Sequence, residues 1–115
     1  MFLQYYVTES TTGNRVNIEI NAATKTDLDA TRNGWQTVWN TDFILDPQKE
    51  KYAAKTEDGE IIALGAYRVR KGSVAVYIAY IESQPESNPT LVEHKKYSGI
   101  GKAMIAFGIQ LSIDA

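Results

Sequence analysis

Val16, Ile18 and Ile20 alternate with Asn17 and Glu19, the pattern of a strand with one buried face. Phe2 to Val7 alternates more loosely and is rich in aromatics. Between the two runs lies Ser10-Thr11-Thr12-Gly13-Asn14, good turn chemistry, so an N-terminal hairpin is expected. Farther on, Tyr52–Thr56 reads as a short strand and Glu57-Asp58-Gly59-Glu60 as a hairpin turn. Ile61–Arg70 is the next strand, followed by a Lys71-Gly72 turn. Val74 to Ile81 is apolar at almost every position, which reads as a central strand with both faces covered. Three such strands in succession make an antiparallel meander.

The helical patterns are fewer. Thr24 to about Asn40 is polar with a sparse apolar face of Leu28, Trp35, Val38 and Trp39. Thr24 or Thr26 can cap it, and Asp27 and Asp29 fall in the first turn, where negative charge is favoured. Gly34 divides this stretch, and Asp46-Pro47 marks a break. Ser83–Glu93, with Pro85, Asn88 and Pro89, reads as a loop. Ile100–Ile113 is the last helix, and it carries two apolar stripes. Ile100, Met104, Phe107 and Leu111 form one; Ile105, Ile109 and Ile113 form another on nearly the opposite side. Two stripes predict cover on both sides. The pattern as a whole is α+β: an antiparallel β-meander with flanking helices, in a single domain over 1–115.

Composition narrows the chemistry. Twelve basic against fourteen acidic residues give a net charge of −2, unlike the basic surplus of a nucleic-acid binder. The absence of cysteine excludes disulfides, thiolate metal sites and a cysteine nucleophile, and fits a reducing compartment. His94 is the only histidine, so a multi-histidine metal site is excluded and no metal is expected. Its own place is expected to be an exposed loop. The first residues have no basic leader, and no run approaches the roughly 20 apolar residues of a membrane span. A cytoplasmic location is the expectation.

One stretch is built for a ligand. Lys96-Tyr97-Ser98-Gly99-Ile100-Gly101-Lys102-Ala103 places two glycines at the start of the last helix, where unpaired N–H groups and the helix dipole favour an anion. A P-loop would need glycine at position 96 and serine or threonine at 103; Lys96 and Ala103 stand there. A dinucleotide fingerprint would need glycine or alanine at position 104, which is Met104.

The stretch resembles the pyrophosphate loop of the GNAT N-acetyltransferases, Gln/Arg-x-x-Gly-x-Gly/Ala. Gly99 and Gly101 match, while Lys96 stands at the Gln/Arg position, a conservative departure from the pattern. Tyr80-Ile81-Glu82-Ser83-Gln84-Pro85 is similar to the end of the strand before that loop in a bacterial subgroup. The resemblance runs from about Tyr52 to Ala115. It implies the N-terminal part of an acyl-CoA N-acyltransferase fold. The diphosphate of acetyl-CoA would meet the main chain from Lys96 and Tyr97 through Ser98, Gly99, Ile100, Gly101 and Lys102 to Ala103. Pantetheine would pair with a strand edge at Ile81 and Ser83, and Glu82 would be the base that takes the amine proton. A primary amine of unknown identity would enter beside Trp35, Trp39 and Asp42 and attack directly in a ternary complex. The family's general acid lies on a later helix, expected beyond Ala115, so the domain reads as incomplete. Its uncovered helix stripe would be covered by that missing segment or by a second copy in a homodimer. The rival reading is a non-catalytic module that binds CoA or a partner.

Overall fold

The alternation over Val16–Ile20 continues in both directions to give a strand of eight residues, and the segment before it folds back as its partner. The structure, a computed structural model, describes residues 4–32, 34–37, 39, 50–69 and 76–114. In chain order the regular elements are β1 (Tyr5–Glu9), β2 (Arg15–Ala22), α1 (Lys25–Asp29), β3 (Glu50–Thr56), β4 (Ile61–Val69), β5 (Val76–Ser83), β6 (Tyr97–Ser98) and α2 (Ile100–Asp114). The strands form one six-stranded sheet in the order β5-β4-β3-β2-β1-β6. Each neighbouring pair is antiparallel.

The expected N-terminal hairpin forms, with Glu9 N–H donating to Asn14 C=O at 2.9 Å. So does the β3–β4 hairpin, where Gly59 N–H reaches Thr56 C=O at 2.9 Å. The Phe2 end of the first run, the Lys71-Gly72 turn and Asp46-Pro47 lie outside the described residues.

The sheet separates two cores. On one face, α2 covers Val7, Ile18, Ala54 and Ala63 with Ile100, Ala103 and Met104. On the other, Leu28 of α1 and Trp39 pack on Ala53, Leu64 and Ala66. α1 begins with a capping box. Thr24 Oγ1 accepts from Asp27 N–H at 3.2 Å, and Asp27 Oδ2 accepts from Thr24 N–H at 2.9 Å. The helix expected over Thr24 to about Asn40 is much shorter. After Asp29 it tightens into a single 3₁₀ turn, Ala30–Arg32, and Gly34 stands at φ +91°. The left-handed backbone at Gly34 lies beyond that turn, within the stretch it was expected to divide.

The strand read as central is at the edge. β5 pairs only with β4 among the described residues. Its apolar pattern reports cover on both faces, not strands on both sides. Ile81 packs with the α2 core, and Tyr80 packs with Trp39, ring centroids 5.5 Å apart. The ladder shifts by one residue, with Ala66 opposite Tyr80 but Tyr67 opposite Ile78, which bends β5.

Helix α2 lies unusually close to the sheet. Gly108 leaves room for the Tyr67 ring, and the Tyr67 hydroxyl donates to Met104 C=O at 2.8 Å. Burial pushes the Tyr67 hydroxyl well above its ordinary range, so it stays a neutral donor. Phe107 meets Tyr5, Tyr52 and Tyr67 edge-on. The second stripe faces outward, with Ile105, Ile109 and Ile113 respectively 50%, 60% and 71% exposed. Among the described residues no helix is long and apolar enough to cross a membrane.

Candidate functional site

After β5 the chain crosses the end of the sheet to reach β1. Gln84 N–H closes the ladder on Ile62 C=O at 2.8 Å, and Pro85–Ser87 makes a 3₁₀ turn. Lys96 is held on both sides: its N–H donates to Glu86 C=O at 2.8 Å, and its C=O accepts from Ser10 N–H at 2.9 Å. Tyr97 and Ser98 then pair with Glu9 and Thr8 as β6. This two-residue strand had no signal in the sequence.

Gly99 turns the chain off the sheet at φ +89°, and α2 starts at once. The first helical bond runs from Ala103 N–H to Gly99 C=O at 3.0 Å. The amides of Ile100, Gly101 and Lys102 precede it and have no intrahelical acceptor. Gly99 has no side chain to cap them, and Ser98 Oγ is 3.2 Å from Ser10 Oγ. A Cβ added at Gly99 or Gly101 would meet nothing within 4 Å. The turn opens on a groove of about 470 Å³ between β1 and α2, walled by Gln4–Thr8 on one side and Ser98, Gly99, Lys102, Ala103 and Ala106 on the other. Lys102 is exposed at its rim.

The ten residues expected around a cofactor therefore divide. Ser98, Gly99, Lys102 and Ala103 line one groove, and Gly101 is open on the same turn. Ile100 is buried in the core at 4% exposure. Lys96 and Tyr97 converge on Glu60, with Lys96 Nζ 3.0 Å and the Tyr97 hydroxyl 3.3 Å from its carboxylate. Ile81 and Ser83 lie on β5, at the opposite end of the strand order. The bond from Gln84 to Ile62 fixes the parity there. Glu82 turns its main chain to β4, whereas Ile81 and Ser83 present N–H and C=O at the open edge.

Glu82 is 4% exposed and faces the α1 side of the sheet. Its oxygens accept from Gln36 N–H at 2.6 Å, Thr37 N–H at 3.3 Å and Trp39 Nε1–H at 2.9 Å. Three donors thus occupy three of its roughly four lone-pair positions and hold it in a buried, positioned state. Trp39 is fully buried, while Trp35 is partly exposed and lines a shallow pocket with Asp27, Glu60 and Gln84. Asp42 lies outside the described residues. His94 is exposed, as expected.

Glu60 has more work than its place in a turn suggested. Burial alone would raise its carboxyl, but the Gln84 amide, the Lys96 ammonium and the Tyr97 hydroxyl outweigh this and hold it below its ordinary value. Asp27 behaves alike: burial opposes the charge, while the Thr24 amide and Lys55, 2.9 Å away, prevail. Both carboxyls therefore bind protons less readily folded than unfolded. Their stabilisation is complete above the unfolded values near 4 and is lost as pH falls through them toward the folded values. Urea midpoints are expected to be level at neutral pH and to drop below about pH 5. Lys55→Met should make that drop shallower; an unchanged acid limb would remove Asp27 from the account.

Two parts of this site had no local signal. Glu60 reads as a turn carboxylate, and the groove wall on β1 depends on β6 reaching it across the chain. A scan against family models, a search of curated proteins and a search of solved structures found no match to this chain.

Proposed function

We propose that this chain binds acetyl-CoA through the Gly99–Lys102 turn and takes part in acetyl transfer to a primary amine, as the N-terminal part of an acyl-CoA N-acyltransferase fold. The observation that carries the reading is the glycine-started helix facing an open groove with three uncapped amides and Lys102. A diphosphate there would accept from the amides and pair with the lysine. In the transfer, the neutral amine attacks the thioester carbonyl, the C–N bond forms, the C–S bond breaks, and the amine proton leaves with the thiol of CoA. The role this chain supplies is binding and orientation. Glu82 fixes Gln36, Thr37 and Trp39 on the acceptor side of that arrangement.

Gly101 allows a clean test because stability and binding should move in opposite directions. Its position is helical and open, so Gly101→Ala is expected to stabilise the fold by up to about 1 kcal/mol. The same methyl stands where the diphosphate would approach, so calorimetry should find acetyl-CoA bound at least about tenfold more weakly, some 1.4 kcal/mol. No heat from wild-type protein at millimolar acetyl-CoA, or unchanged affinity in the variant, would end the cofactor assignment.

The exposed stripe of Ile105, Ile109 and Ile113 favours a second reading, a non-catalytic module that pairs through α2. Under it the chain sediments as a dimer and binds acetyl-CoA without thiol release across a panel of amines.

A further inference from the structure

Helix α2 turns a ridge of isoleucine to the outside. Ile105, Ile109 and Ile113 are the most exposed large apolar side chains among the described residues. They stand four residues apart, so they follow one line along the helix. The patch continues onto the sheet: Ile78 of β5 is also exposed, and its Cδ1 lies 3.5 Å from where a Cβ on Gly108 would stand. Lys102 is exposed on the same outer face, seven residues before Ile109. Asp114 is exposed at the other end, with its Oδ1 accepting from Gln110 Nε2 at 2.9 Å. Both charges oppose the helix dipole, a cation in the first turn and an anion in the last. The first turn has no acidic residue and the last no basic residue to offset them.

Such a face is its own complement when inverted. Laid antiparallel on a second copy about a two-fold axis at Ile109, it sets Ile109 on the partner's Ile109 and Ile105 on the partner's Ile113. Lys102 then falls about 3 Å beyond the level of the partner's Asp114, at 1.5 Å per residue. A cation is favoured there by the carbonyl end of the partner helix and by the carboxylate, and symmetry repeats the contact at the other end. A parallel pair would instead set Lys102 on Lys102 and align the two dipoles. We infer that the outer face of α2 is an antiparallel two-fold interface with a second copy of this chain, centred on Ile109 and fixed in direction by the charges of Lys102 and Asp114. The inference rests on the second reading above, pairing through α2, and supplies its geometry. Four isoleucines on a helix of 15 residues make a smaller patch than the standard interface of about 1,600 Å², so the association is reversible and depends on concentration. An unrelated partner would cover the isoleucines without needing charges that are reversed at the two ends.

The chain has no cysteine, so single cysteines placed on α2 report its neighbours directly. Sedimentation velocity over a concentration series should show a monomer–dimer equilibrium for the wild-type protein and only monomer for Ile109→Asp. Ile109 is exposed within one copy, so that variant should keep its urea midpoint. With a short bismaleimide, Ile109→Cys should crosslink to itself. Ile105→Cys and Ile113→Cys should each fail to do so alone, lying about 12 Å along the axis from their own copies, and should crosslink to each other when mixed. Lys102→Glu should weaken the dimer about tenfold, and adding Asp114→Lys should bring it back to within about twofold of wild type. Self-crosslinking at all three positions would mean a parallel pair, which overturns this geometry and keeps the second reading. An unchanged dimer in Lys102→Glu overturns the part given to the charges. A dimer that survives Ile109→Asp, or crosslinks at none of the three positions, puts the interface elsewhere and overturns both. A wild-type monomer throughout the series also overturns both, and leaves the acetyl-CoA reading to its own test.

Discussion

Glu82→Ala is expected to destabilise the fold by about 3–5 kcal/mol, a large share of the 5–15 kcal/mol typical of a domain. The reason is the number of donors it would orphan. Two main-chain amides and the Trp39 indole converge on one buried carboxylate. Alanine leaves them facing a cavity. Glu82→Gln should fall between, since its carbonyl oxygen keeps one or two donors while its amide opposes the rest. Urea unfolding followed by tryptophan fluorescence checks both the size and the order. An alanine variant within about 1 kcal/mol of wild type would show that the 36–39 segment is held by other contacts. The same measurement bears on function. Rescue of stability by Gln with loss of turnover would point to a proton role, whereas equal partial loss of both would mark Glu82 as a positioning residue.

Gly65→Ala should cost about 2–3 kcal/mol through overpacking. A Cβ at Gly65 would lie 2.7 Å from Tyr67 Cε2 and 2.9 Å from both the Tyr67 hydroxyl oxygen and Met104 Cε. The methionine tip can swing aside. The Tyr67 ring cannot, because it is fully buried, bonded to Met104 C=O and flanked by Tyr52 and Phe107. Moving it lifts α2 from the sheet. Gly108→Ala makes a milder contact, 3.1 Å to Tyr67 Cε1, and gains helix propensity, so it should be the less damaging of the two. Chemical denaturation that ranks them the other way would mean that α2 yields more easily than β4.

Much of the fold was legible because the hairpin strands are joined by short turns and alternate cleanly. The β1–β2 and β3–β4 hairpins declare themselves in Ser10–Asn14 and Glu57–Glu60. A cap at Thr24 or Thr26 was visible for the same reason, and the structure settles it on Thr24, with Asp27 closing the box three residues on. Lateral position was not legible. Val74–Ile81 reads as central, but its described part from Val76 is covered by two layers at the sheet edge, and sequence pattern records burial without saying which neighbour provides it. The stretch from Thr24 did not hold as one helix: it leaves the α-helix after Asp29, and Gly34 beyond it takes a left-handed backbone. In the site, Gly99 and Gly101 were legible from their bareness alone. What they face was not, since β1 and Tyr97-Ser98 are joined by a ladder that no local pattern announces. Glu82 was visible as a carboxylate at a strand end, but its three donors come from far along the chain.

The β6 pairing also sets an order of assembly. β1 through β5 can zip up turn by turn, each strand finding the one just made. Ser98 meets Ser10 across 88 positions, so that closure must wait for nearly all of the chain. The groove between β1 and α2 is created by that last step. A ligand of the groove therefore recognises only the closed form and stabilises it by mass action. Protection by ligand should be concentrated in α2 and β6 and absent from a partly opened meander, so that occupancy would act as a check on completed folding.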